Sequence, residues 1–368
     1  MRILFLAKRR YTNKDTLRER FGRVYQLPLH WHDSGHQVEL SLLDYRGFLS
    51  EKSTRDGFPA RSLPIRDPRS VFRLRSDARR FRPDVIVASG DCFVGLAGLH
   101  LARVAASRFV FDVYDDYSSF GSYRAFGGWD ALGHLLERAD LVLYASQSLA
   151  GRHPASSRWL LVPNGVDPAV FHPIPMATAR KHVGLDDVGT KWVGYFGSME
   201  PDRGLDELIA AIGILHASDP NNRLLLCGSK GSDSRRFPSW VDYHGVVLHS
   251  AMSGYLNACN VLALPYRRSK VMDMGASCKI GEYLLCGRPM VSTDTPNFTQ
   301  NFPVQAKELE AYISRPDDPS DLARVISMQL QAPRTASLPI EHTWESISQR
   351  VLSELETLAH RAGNHAHI

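Results

Sequence analysis

The sequence predicts an α/β protein of two doubly wound domains, each a parallel sheet with helices on both faces, and three observations carry that prediction. Short apolar runs alternate with helical patterns from the first residues onward, as β-α-β units require. A Pro-Asn-Gly turn at residues 163–165 interrupts the alternation, and strand and helix then start again in the same order. The chain has 368 residues, 43% hydrophobic and 23% charged, which is enough for two ordinary cores and too apolar for disorder.

Ile3 to Ala7 reads as the first strand. The run is too short for a secretion signal, meets Lys8-Arg9-Arg10 at once and has no small-residue cleavage site. No stretch approaches the roughly 20 apolar residues that span a bilayer. After Phe21-Gly22-Arg23 comes helical spacing at Val24, Leu27 and Trp31, closed by Ser34-Gly35, and then a strand over 38–43. Gly22, in a strand-to-helix loop, leaves room for a backbone to approach a ligand closely or serves only as a turn. From Arg61 to Pro83 eight arginines interleave with Val71, Phe72, Leu74 and Phe81. That pattern reads as a solvated helix face or as a basic amphipathic helix resting on anionic lipid.

Residues 84–88 and 109–112 are the next strands, with a helix over 93–106 between them. In FDVYDDYSS, Asp112, Asp115 and Asp116 fall at the carboxyl end of a parallel strand, where open α/β sheets place their sites. An Asp before Ser118-Ser119 also suits a helix cap. A helix over 129–138 and strands over 141–145 and 159–162 complete the first half. That half, residues 1–166, carries 25 Lys and Arg against 17 Asp and Glu, a net +8, while the remainder carries 19 against 22, a net −3. A basic first half points to an anionic partner such as a phospholipid surface, a lipid diphosphate or nucleic acid. The five cysteines are scattered without CxxC spacing, so neither a disulfide framework nor a zinc site is suggested, and a reducing cytoplasm fits.

The second half opens with a strand over 192–197 that ends in Gly197, a loop from Ser198 to Arg203-Gly204, and a helix over 205–216. Strand, glycine, loop and helix can cradle a phosphate, and Arg203 supplies the charge. A strand over 224–228, a polar loop with Lys230, Arg235 and Arg236, the segment VDYHGVV, a helix over 252–258 and a strand over 261–264 lead to MDMGASCKIGEYLLCGRPMVSTD. There Gly275, Ala276 and Ser277 open a helix whose first-turn N–H groups favour an anion. Lys279 adds a full positive charge. Glu282 shares its face, placed either to accept hydrogen bonds from ribose hydroxyls or to form an exposed ion pair with Lys279. Helices over 318–330 and 344–361 close the chain.

PNGVDPAVFHP (163–173), the segment 194–204 and KIGEYLLCGRPMVSTD (279–294) resemble, in order and spacing, the group 1 (family 4 type) nucleotide-sugar glycosyltransferases, whose last segment reads KxxEYxAxGxPVVxT. The resemblance implies the GT-B fold, two Rossmann-like domains facing a cleft. It implies an acceptor domain over 1–166, a donor domain over 167–342, and a terminal helix in 343–368 that crosses back to the first domain. Asp115 and Asp112 are then the expected catalytic residues, and Gly22 and Arg23 the acceptor side. Gly197, Ser198, Arg203, Val246, Ser277, Cys278, Lys279 and Glu282 are the expected donor-binding set, with Lys279 on the diphosphate and Glu282 on the ribose.

Two departures stand out. Ser198 occupies a position where the family usually has Arg or Lys, and Met274 stands where retaining members carry a first Glu, with Asp273 one residue off. No DxD occurs, so neither a metal nor a cofactor is expected beyond the nucleotide-sugar substrate, with a UDP-sugar favoured. The implied reaction moves a sugar to the hydroxyl of a glycan, a lipid-linked or a small-molecule acceptor, in the cytoplasm or at the inner face of the cell membrane. Other classes remain open. They are a catalytically inactive partner subunit, a sugar epimerase on the same fold, and a basic lipid- or nucleic-acid-binding protein. The last predicts nothing for Arg203, Lys279 and Glu282 in the less basic half, and nucleic acid is not an expected partner.

Overall fold

The computed structural model describes residues 1–11, 14–155, 157–185, 189–230 and 236–365, so Arg235 lies outside the described residues. The chain divides into two compact units, Met1–Gly165 together with Glu341–Ile368, and Val166–Ile340.

Unit 1 holds an eight-stranded sheet made of β1 (Arg2–Lys8), β2 (Gln37–Asp44), β3 (Glu51–Ser53), β4 (Ala60–Pro64), β5 (Val85–Ser89), β6 (Arg108–Val113), β7 (Leu141–Tyr144) and β8 (Trp159–Leu161), in the order β8-β7-β6-β5-β1-β2-β4-β3. Every pair is parallel except β3 on β4. All five residues of β5 are buried, as the apolar run VIVAS requires of a strand covered on both faces. From β1 the chain steps outward to β2, then returns through β5 on the other side, so the strand order reverses between β1 and β5.

Among the helices of unit 1 are α1 (Arg23–Asp33), α2 (Arg69–Phe81) and α3 (Cys92–Ala105). The arginine-rich stretch is not one helix. Arg61 lies in β4, and the helix begins only after Pro68, burying Ser70, Leu74, Asp77 and Ala78. Arg61 reaches across to pair with Asp77.

Unit 2 repeats the plan with β9 (Lys191–Phe196), β10 (Asn222–Cys227), β11 (Val241–Tyr243), β12 (Val261–Leu264), β13 (Met290–Thr293) and β14 (Ile313–Ser314), all parallel, in the order β11-β10-β9-β12-β13-β14. Here the order reverses between β9 and β12. Helix α4 (Leu205–Ser218) follows β9, and α5 (Cys278–Leu285) precedes β13.

The last helix, α6 (Trp344–His365), belongs to unit 1. It packs on α1, its Ser348 carbonyl accepts the Trp31 indole N–H at 3.0 Å, and Trp344, Ile347, Val351 and Leu355 join the core that holds Phe5 and Val24. Among the described residues no helix is long and apolar enough to cross a membrane.

Candidate active site

In unit 2 the reversal of strand order gathers a cationic site at the carboxyl ends of β9 and β12, where open parallel sheets bind their ligands. Gly197 directly follows β9, and a Cβ there would lie 2.5 Å from Cε of Lys279. The missing side chain is therefore the space through which Lys279 passes. Gly204, at φ +66°, closes the loop after β9, and a Cβ there would meet the Pro265 carbonyl oxygen at 1.7 Å. That approach holds the loop against the end of β12.

Arg203 and Lys279 enter from different elements, Arg203 over the buried ring of Tyr266 and Lys279 against Gly197, and Tyr266 favours the charge of both. The Arg203 guanidinium lies over this ring at 5.5 Å and donates to the Met272 sulfur at 3.4 Å. Burial opposes its charge, but the Tyr266 and Tyr195 hydroxyls and Glu200 outweigh burial and hold its pKa above the ordinary arginine value. Lys279 behaves alike. Burial lowers its pKa and Arg203 adds repulsion, yet Tyr266, Cys278 and Glu282 bring the balance above the usual lysine value. Both are cations at neutral pH. Among the described residues no carboxylate forms an ion pair with Lys279, and Arg203 has only Glu200, 3.8 Å away.

Glu282 is not the exposed partner of Lys279. It is 8% exposed, and its Oε1 lies 3.9 Å from Nε2 of His249. Burial and the Glu282 carboxylate push the Cys278 thiol up to about 12, so Cys278 sits in the first turn of α5 as a neutral thiol. Ser277 holds the N-cap position, but its hydroxyl bonds the Tyr266 hydroxyl at 3.0 Å instead of capping the helix, and its N–H goes to Oδ1 of Asn297 at 3.0 Å. Asn297 also donates to the Met272 carbonyl, and Asn301 to that of Gly275, so these two side chains fix the loop that opens α5. Ser198, half-buried, lends its carbonyl to the Tyr195 hydroxyl at 2.7 Å. Val246 stands 77% exposed in the loop after β11.

In unit 1 the structure revises three expectations. Asp112, expected to be catalytic, and Arg23, expected to face an acceptor, are both fully buried and paired with each other at 2.6 and 2.9 Å. Ser89 donates to the same carboxylate, and the remaining Arg23 reach goes to the Val162 carbonyl. Neither touches solvent, so their chemistry is that of a buried tie between α1, β5, β6 and the end of β8. Gly22, at φ +68°, makes room for Tyr11, whose ring a Cβ would meet at 2.4 Å, and not for a ligand. Asp115 does stand half-buried past the end of β6, its Oδ1 accepting the Asp116 N–H at 2.8 Å. Asp116 is buried against His153 at 3.1 Å and Arg152 at 3.5 Å. In unit 2, Asp273 is ion-paired with Arg268 at 3.0 Å, so the displaced carboxylate beside Met274 is already engaged.

Sequence reasoning missed the group at the unit 1 reversal. Lys8, ending β1, lies 2.7 Å from Asp91, just past β5, and its ammonium sits 5.2 Å from the Tyr45 ring and 5.3 Å from the Phe120 ring. Asp91 also caps α3 and accepts the Tyr45 hydroxyl. The Lys8-Arg9-Arg10 run was visible, but nothing local to it shows that Lys8 meets Asp91 while Arg9 is buried against Asp15, Asp44 and Glu51. Among the described residues no group of three or more His, Cys, Asp or Glu is placed to hold a metal ion.

Known families match both units. Residues 23–170 match the family described as Glycosyltransferase Family 4, and residues 190–331 the family described as Glycosyl transferases group 1. The chain belongs to the group 1 glycosyltransferases of the family 4 type and is a glycosyltransferase. No curated protein matches it in sequence. Among solved structures, sucrose-phosphate synthase from Thermosynechococcus elongatus is similar at 19% identity and TM-score 0.68, covering 100% of this chain and 98% of that one. Anabaena HepE, solved in complex with UDP, is similar at 16% identity and TM-score 0.67, covering 100% and 99%. The α,α-trehalose 6-phosphate synthase from Burkholderia multivorans is similar at 12% identity and TM-score 0.62, covering 99% and 98%. These likenesses place the chain in the GT-B fold class of two Rossmann-like units.

Proposed function

We propose that the protein transfers a sugar from a nucleoside diphosphate sugar, a UDP-sugar foremost, to an acceptor hydroxyl, and that the donor diphosphate binds in unit 2. The observation that carries this reading is the convergence of Arg203 and Lys279 at the β9 end, two cations held charged, Arg203 over the buried Tyr266 ring and Lys279 against Gly197, with Lys279 lacking an ion-pair partner among the described residues. Preorganised positive charge is what a departing nucleoside diphosphate requires, and the uncapped first turn of α5 adds N–H groups to it. Glu282, buried and acceptor-only, suits the two hydroxyls of a ribose. The UDP-bound state of HepE supports the choice of nucleotide.

With this charge supplied by side chains and backbone, the reaction proceeds without a metal. The acceptor binds at the unit 1 reversal, beside Lys8, Asp91 and the aromatic rings, and Asp115 takes the proton of its hydroxyl. Glycans, lipid-linked sugars and small molecules all fit that chemistry, in polysaccharide or glycoconjugate synthesis.

Calorimetric titration with UDP and with uridine tests the donor site. Glu282→Ala removes an acceptor whose hydrogen bonds contribute about 1.5–3 kcal/mol each, so both affinities are expected to fall at least about tenfold. Lys279→Ala is expected to weaken UDP more than uridine. Unchanged affinities in both variants would remove the donor from this site. Turnover undiminished by a chelator is the expected result for metal independence, and its abolition the contrary one.

A further inference from the structure

We propose that unit 1 carries a membrane-docking surface, formed by the β2–β3 connection, the turn after β4 and the first turns of α2, and that its partner is an anionic lipid bilayer. Phe48, Leu49, Ile65, Val71 and Phe72 are each between 45% and 78% exposed. They come from separate stretches of sequence, yet the fold brings those stretches together. Strands β2 and β4 are neighbours with Asp44 opposite Pro64, so the two connections leave the sheet side by side. The Arg66 guanidinium lies over the Phe48 ring at 5.2 Å, and Arg73 donates to the Ser50 hydroxyl at 2.8 Å.

The net charge around this apolar cluster is positive. Residues 46–53 and 65–75 hold Arg46, Lys52, Arg66, Arg69, Arg73 and Arg75 against Glu51 and Asp67, a net +4. Glu51 is taken by Arg9 at 2.5 Å, and Asp67 accepts the Arg69 N–H and lies 3.7 Å from Arg73. Stability of the helix does not explain the pattern. Its first turn contains no acidic residue, and Arg69 and Arg73 stand near the positive end of the helix dipole, where cations are disfavoured. The face that α2 buries contains neither Val71, Phe72 nor any arginine.

Apolar tips surrounded by exposed guanidinium groups fit the boundary of a bilayer. The rings and aliphatic chains enter the acyl edge, while the arginines, with their long apolar stems, stay at headgroup depth. A soluble acidic protein would match the charge but would leave the scattered apolar tips unexplained, and nucleic acid would leave Leu49, Ile65 and Val71 without a role. Each basic residue at an anionic membrane surface is worth about fivefold in partition. The surface lies at the edge β2-β4-β3, and none of the exposed residues named for it is assigned to donor or acceptor.

Co-sedimentation of the full chain with vesicles of phosphatidylcholine alone, and of an equimolar mixture with phosphatidylglycerol, tests the proposal. Binding is expected to the mixed vesicles and not to the neutral ones. The triple variant Arg66→Gln, Arg69→Gln, Arg73→Gln is expected to lose about a hundredfold in partition, from three residues at about fivefold each. The double variant Phe48→Ser, Phe72→Ser is expected to lose at least about tenfold and to make the residual binding more easily reversed by salt. Both variants are expected to keep the wild-type melting temperature and UDP affinity, which separates loss of docking from misfolding and from any failure of the donor site. Absence of binding to mixed vesicles, equal binding to neutral ones, wild-type partition in both variants, or displacement of the protein from vesicles by DNA would overturn it.

Discussion

The Arg23–Asp112 pair and Asp115 both stand near the end of β6 and are expected to respond in opposite ways. Removing one partner of a buried ion pair leaves the other charge uncompensated, at about 3–5 kcal/mol. Arg23→Ala is therefore expected to lower the melting temperature sharply while UDP binding, assigned to unit 2, survives in whatever fraction remains folded. Asp115→Asn is expected to keep stability and donor affinity and to lose turnover by about a hundredfold, the usual scale for a general base. Near-normal turnover in Asp115→Asn would make it a turn residue. The sequence showed all three charges at strand and helix ends, but Arg23 and Asp112 are 89 positions apart and only the folded sheet reveals that they meet. Gly197 is a parallel case. Its place after an apolar strand marked it as part of a phosphate cradle, whereas the group that passes over it, Lys279, comes from a helix in another part of the unit. Tyr266 carried no local signal at all, being one aromatic residue beside a proline.

At the level of elements, the lead-in to α5 is what sets the cation site. Asn297 is 1% exposed and bonds both the Ser277 N–H and the Met272 carbonyl. In Asn297→Ala the half-buried Ser277 N–H and the Met272 carbonyl both lose that partner, the carbonyl keeping the Gly275 N–H, and a buried group left unsatisfied costs about 1–3 kcal/mol. We expect lower stability together with weaker UDP binding, because the loop that positions Ser277 and Lys279 loosens. A change in stability with unaltered UDP affinity would show that the loop does not set the site. Element types were readable because the periodicities of two and 3.6 are imposed by burial on one or both faces. Boundaries were less so. The arginine-rich stretch concealed a strand, a turn and a helix, since charged residues at a sheet edge and on a helix face look alike without the register that pairs β2 with β4.

At the scale of the molecule, the closing helix α6 is part of the core of unit 1. Trp344, Ile347, Val351, Leu352 and Leu355 are buried there, and full burial of such a side chain contributes about 1.5–3 kcal/mol. A chain ending at Ile340 is expected to lose the unfolding transition of unit 1 in calorimetry, exposing Trp31, while unit 2 retains its own transition and its affinity for UDP. Two intact transitions in the shortened chain would mean that α6 is dispensable.

The position of α6 also orders the protein's assembly on the ribosome. Unit 2 is one continuous segment, Val166–Ile340, and can fold as soon as it has emerged. The 1–165 part of unit 1 is made before unit 2 yet lacks a wall of its core until residues 344–358 appear. At about 5–20 residues per second, that delay is on the order of ten seconds or longer. Throughout it the apolar face of α1 around Trp31 awaits its cover, so of the two units the one begun earlier is completed later.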